Sequence, residues 1–173
     1  GSVKVGAGET APLPPTPNHK SCKAAIAAGR ADEVMLRWSE IEAMRAAGTF
    51  EFHSHTHTHT RWDLSEPDSE IRHQKLAADL AASRETLQAR LGETSRHLCW
   101  PQGYFDVDYQ AIATMQGFTH LYTVHKGVNT RWTPPAAINR VVVKDKVTAW
   151  FATRMRLYRH PGLGALYAKL RGK

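Results

Sequence analysis

Between residues 38 and 158, short apolar segments alternate with helix-length stretches that stop at glycine. That alternation constrains the fold more than any other feature. Ser39 with Glu42 three residues later forms a capping-box pattern. Ile41, Met44 and Ala47 give that helix one apolar face, and Gly48 supplies its stop. Residues 50–52, Phe-Glu-Phe, read as a short strand. A long helix spans residues 67–91. Pro67 suits its first turn, Ile71, Leu76, Leu80, Leu87 and Leu91 form its buried face, and Gly92 closes it. Residues 97–100 read as a strand broken at Pro101, 108–116 as a helix ending before Gly117, and 119–124 as a strand. Val141, Val142 and Val143 form the continuous apolar run typical of a parallel sheet, and residues 148–158 a final helix. Strands alternating with helices imply an α/β layer or barrel, and in a barrel ligand sites gather at the C-terminal ends of the strands.

The flanks differ from this body. The first twenty residues are rich in Gly and Pro, with Pro12, Pro14, Pro15 and Pro17 close together, which is loop composition. The expected organisation is a loop or linker over residues 1–34, a body over 35–146, and a basic helix and tail over 147–173. The net charge of +7 lies wholly in residues 144–173, where eight Lys and Arg face Asp145 alone. A neutral body argues against a nucleic-acid-binding domain, whose basic face would cross the fold. The tail suits either an anionic membrane surface or an acidic glycan, or forms a solvated helix. No run of about 18 apolar residues exists to span a bilayer. Cys22 and Cys99 define neither a zinc knuckle nor a disulfide framework.

The segment that carries chemistry is His53-Ser54-His55-Thr56-His57-Thr58-His59, with four of the ten histidines in seven residues. On a straight strand, residues i and i+4 lie roughly 13 Å apart, whereas zinc needs imidazole nitrogens at about 2.0–2.1 Å. Two of these histidines can share a metal only if the strand ends inside the run and the chain turns. Imidazole accepts zinc, copper, iron or nickel. The competing reading is a polar strand edge with solvated histidines.

These residues, with others at fixed separations, resemble the polysaccharide deacetylases of carbohydrate esterase family 4, the NodB homology domain. Trp38-Ser39-Glu40-Ile41 and residues 48–52 are similar to the family's approach to its metal motif. Residues 54–59 resemble its His-(Ser/Thr)-x-x-His motif, and Cys99-Trp100-Pro101-Gln102-Gly103-Tyr104 its Pro-Tyr-Gly motif. Gly117-Phe118, Tyr122-Thr123, Gly127 and residues 138–141 continue the likeness, which covers roughly residues 35–145.

The resemblance implies a distorted (β/α) barrel whose first strands are missing from this chain, with an exposed edge open to oligomerisation or strand exchange. It implies a hydrolase acting on C–N amide bonds, which removes acetyl groups from N- or O-acetylated sugars of a bacterial-type polysaccharide or glycolipid. The cofactor would be a divalent metal, zinc by expectation, held by one Asp and two His. A second Asp would act as general base. His55 and His59 are the preferred metal pair, because Ser54 fills the family's small-residue slot. The His53/His57 register also satisfies the motif. The backbone of Gln102 would bind the oxyanion, and Trp100, Pro101, Gly103 and Tyr104 would line the substrate groove. His125 is the candidate late acid by its order in the chain, Asp106 is read as a helix cap, and Arg140 as a residue near the site.

The paired aspartates that open the family pattern do not appear, since the first Asp is Asp32. The chain is therefore expected to be part of a longer deacetylase and inactive alone, the alternative being a noncatalytic metal- or glycan-binding remnant. The implied compartment is either side of a bacterial inner membrane.

Overall fold

The computed structural model describes residues 17–141, 143, 144 and 146–171. The chain divides into two compact units, residues 1–51 and 52–173.

In the first unit, helix α1 spans His19–Ala27 inside the stretch expected to be loop or linker. Asn18 caps it, its side chain accepting from the Ser21 amide at 2.9 Å. After a single 3₁₀ turn over Ala31–Glu33, helix α2 spans Trp38–Ala46. The cap lies two residues earlier than the sequence pattern suggests. Glu40 accepts from the Arg37 amide at 2.9 Å, so Glu40 serves where Glu42 was expected.

The second unit holds the core. Helix α3 spans Trp62–Ser65 and α4 spans Ser69–Leu91, capped by Asp68 and stopped by Gly92 at φ +73°. Strand β1 is His97–Cys99, helix α5 is Val107–Met115, strand β2 is His120–Lys126 and strand β3 is Ile138–Arg140. Helices α6, Thr148–Tyr158, and α7, Pro161–Arg171, complete the unit. The strands form one parallel sheet in the order β1-β2-β3. Because side chains alternate along a strand, paired Leu98 and Leu121 enter the core with Leu76 and Leu80 of α4 and Tyr109 and Ala113 of α5. His97, Cys99, His120 and Tyr122 hold the alternate positions and remain partly exposed.

Three expectations are corrected. The sheet is small and open, and the described residues do not close a barrel. Residues 50–52 form no strand. Only Ser54 pairs with β1, through Ser54 N–H to His97 O at 3.2 Å and Cys99 N–H to Ser54 O at 2.9 Å, so the upstream residues have no ladder to join. Among the described residues the last strand is Ile138–Arg140, and Val141 and Val143 lie outside it. Val143 is exposed, and Val142 lies outside the described residues. Arg140 ends the strand by turning its side chain back onto Thr123 O and Cys99 Sγ.

Candidate active site

The histidine segment leaves the sheet at Ser54 and turns at once. Thr56 lies at φ 68° and His59 at φ 57°, a left-handed conformation that a β-branched residue such as Thr rarely adopts. Local hydrogen bonds hold it there. Ser54 Oγ accepts from Thr56 N–H at 3.1 Å, and Thr56 Oγ1 accepts from His59 N–H at 3.1 Å. Helix α4 supplies the rest. Ser54 Oγ and Ser83 Oγ lie 2.7 Å apart. Asp79, buried on the same helix, accepts from Thr58 N–H at 2.8 Å and from Trp62 Nε1–H at 3.2 Å. Sequence reading missed Asp79. Its signal was a carboxylate directly before Leu80 on a face also bearing Leu76 and Ser83.

The turn brings His55 and His59 together, edge to face, with ring centroids 4.8 Å apart. His55 Nδ1 lies 2.6 Å from Cys99 O. A carbonyl only accepts, so Nδ1 carries the proton and Nε2 of the neutral ring keeps its lone pair. This is the tautomer that metal-ligating histidines adopt when a carbonyl orients them. The His55 pKa is raised, chiefly by hydrogen bonding to the Cys99 side chain, which outweighs its burial. Burial opposes ionisation of the Cys99 thiol, but hydrogen bonding from His55 and the charges of His55 and Arg140 hold it below its ordinary value. Arg140 Nη1 donates to Cys99 Sγ at 2.7 Å.

His53 and His57 do not join this pair. His53 stacks on His97 with centroids 4.4 Å apart, and its Nδ1 lies 2.9 Å from Ser95 Oγ. His57 is exposed. Two convergent imidazoles suit a divalent ion, but a catalytic zinc takes three protein ligands. Among the described residues no group of three or more His, Cys, Asp and Glu is placed to hold a metal.

The second loop lies beyond β1. Gln102 takes a left-handed conformation, φ 51° and ψ 11°. Gly103 follows at φ +73°, where an added Cβ would stand 2.0 Å from Val124 Cγ1, so only glycine fits. Arg61 pins the loop, donating Nη1–H to Gln102 Oε1 at 3.0 Å and lying 4.7 Å over the Tyr104 ring. The same guanidinium grips Asp63 with two bonds, 2.7 and 2.5 Å, and holds its carboxyl below the usual range. Asp63 is therefore an ion-pair partner of Arg61, not a free base. Of the expected groove residues, Trp100 is 1% exposed and belongs to the core. Pro101 and Gly103 are also buried, and Tyr104 alone keeps partial exposure. Asp106 caps α5 as expected, accepting from Tyr109 N–H at 2.8 Å. His125 lies in β2 with its ring 5.6 Å from Phe105.

A comparison with curated proteins finds no match. Among solved structures, the chain is similar to a de-N-acetylase from Aggregatibacter actinomycetemcomitans, at 19% identity and TM-score 0.59 over 72% of this chain and 54% of that one. IcaB from Ammonifex degensii matches at 28% identity and TM-score 0.54, over 64% and 49%. A Streptococcus pyogenes deacetylase, PplD, solved with acetate, matches at 19% identity and TM-score 0.56, over 68% and 48%. The chain thus spans about half the length of these structures. The model of the polysaccharide deacetylase family matches residues 18–121, more than half of the chain, and the chain belongs to that family.

Proposed function

We propose that this chain forms part of a metal-dependent hydrolase that removes acetyl groups from an acetylated glycan. The observation that carries the reading is the convergence of His55 and His59 just past the sheet, with His55 locked in the ligating tautomer by Cys99 O. Those two side chains would hold a divalent ion, with zinc the expectation from the family resemblance, and the ion would supply Lewis-acid polarisation of the acetyl carbonyl. The Gln102 backbone N–H, on a loop held by Arg61 and admitted by Gly103, is the donor assigned to the tetrahedral oxyanion. Tyr104, half-buried under Arg61, offers an aromatic edge to a sugar ring. A third ligand and a general base are still required, and the whole protein must supply both. The shortage of ligands among the described residues favours a second reading, a metal- or glycan-binding domain without turnover.

Acetate release from an N-acetylglucosamine oligomer separates the two. The whole protein should release acetate, and a chelator should abolish it. The 173-residue chain alone should fall short by about the 10²–10⁴-fold that general-base catalysis contributes. Absence of release by the whole protein with metal supplied would leave the binding-domain reading.

A further inference from the structure

The C-terminal helices carry features that the active site does not use. Helices α6 and α7 close on each other through Tyr158 and Tyr167, edge to face at 6.0 Å. Arg154 lies 5.2 Å from the Trp150 ring and 4.5 Å from Tyr167. Gly164 and Ala168 turn one side of α7 inward. A Cβ on Gly164 would meet Val128 Cγ1 at 2.3 Å and Leu157 O at 3.2 Å. Residues three, four and seven apart share a helix face, so Leu163, Leu166 and Leu170 form a separate stripe. That stripe remains 57%, 56% and 73% exposed. Val147 and Phe151 stand exposed on the approach to α6 and in its first turn. On the same two helices and the approach to α6, Lys144, Lys146, Arg156, Arg159 and Lys169 are all exposed.

We infer that the exposed side chains of this helix pair dock it on an anionic phospholipid bilayer, with α6 and α7 lying in the interface rather than crossing it. Eleven residues per helix are too few to span, and among the described residues no helix is long and apolar enough to do so. The mixture of side chains selects the partner. A nucleic acid or acidic glycan would answer the cations but give exposed leucines nothing to enter. A second copy would cover the leucines but set two positive faces together. An anionic bilayer takes both, with apolar side chains at the acyl boundary and cations against lipid phosphates.

The test is flotation of the 173-residue chain with phosphatidylcholine vesicles, with and without phosphatidylglycerol. Binding should require phosphatidylglycerol and weaken with salt. Leu166→Ser with Leu170→Ser should lower it by about tenfold or more. Each of Lys144→Gln, Lys146→Gln and Lys169→Gln should lower it about fivefold. All five sites are exposed, and unchanged circular dichroism would verify folding. Three results would overturn the inference: equal binding to neutral vesicles, anionic-vesicle binding indifferent to the leucine changes, or no vesicle binding at all. In the last case, salt-sensitive retention on heparin would identify an acidic polymer as the partner, and a leucine-dependent dimer a second copy.

Discussion

At the N-terminal ends of the strands, His53, His97 and His120 stack nearly parallel, with ring centroids 4.4 and 4.5 Å apart. Just beyond Ser54, His55 and His59 meet edge to face at 4.8 Å. His53, His55 and His59 come from one alternating segment, so composition cannot explain the difference. Backbone conformation does. Parallel strands lie about 4.8 Å apart, and rings at matched register, such as His97 and His120, stack across the sheet. Past Ser54 the strand ends, and positive φ at Thr56 and His59 folds two rings onto one point. Such residues cost about 1–3 kcal/mol each, so the pair exists only where other contacts hold the turn. The ladder is a consequence of the sheet, whereas the pair depends on α4.

Breaking the α4 support should separate the two groups most sharply. Asp79→Ala would orphan Thr58 N–H and the Trp62 indole N–H. Hydrogen bonds to a charged acceptor contribute about 1.5–3 kcal/mol each, so chemical denaturation should show a loss of about 3 kcal/mol. Asp79→Asn, which keeps one acceptor oxygen, should lose less. Zinc affinity should fall in both variants while the His97 and His120 resonances stay in place. Equal stability of Asp79→Ala and the parent would remove Asp79 from the account.

The converse change is smaller. His97→Ala removes the central ring of the ladder, which also lies 2.7 Å, through Nδ1, from Tyr122 OH. Aromatic pairs contribute about 0.5–1.5 kcal/mol each, so a loss of about 1–2 kcal/mol is expected, with zinc affinity unchanged. A parallel loss of zinc affinity would mean that the two groups act as one.

The smallest effect concerns acid. Arg61 lowers the Asp63 carboxyl, so the ion pair stabilises fully above the unfolded carboxylate value of about 4 and less as pH falls through the lower folded value. Asp63→Asn should cost less than about 1 kcal/mol at neutral pH, and progressively less as pH falls below about 4. A cost that persists in acid would assign Asp63 a role other than ion pairing.

Much of this was legible in the sequence because it is local. Gly92 marks the end of α4, Asp106 caps α5, and the spacing of His55 and His59 implied a turn that the structure contains. What was hidden depends on partners distant in sequence. Phe50-Glu51-Phe52 has strand composition, but only Ser54 gains a ladder partner in Leu98. Val141 to Val143 have the composition of a buried strand, but Arg140 is anchored to residues 17 and 41 positions earlier, and the strand stops there. Trp100 beside a proline is by type a candidate for a sugar groove and, more often, for a core. Packing among Leu80, Leu98 and Tyr109 decides for the core. The role of Asp79 rests on Thr58 and Trp62, 21 and 17 positions earlier, which only the fold brings to it.

Zinc titration by calorimetry asks whether His55 and His59, and not their neighbours in the same segment, form the metal pair. The parent chain, His53→Ala, His55→Ala, His57→Ala and His59→Ala are compared under one buffer. His55→Ala and His59→Ala should each weaken zinc at least tenfold, an effect of about 1.4 kcal/mol, and His57→Ala should change it little. Equal or larger losses at His53 and His57 would contradict the account and place the metal in the other register.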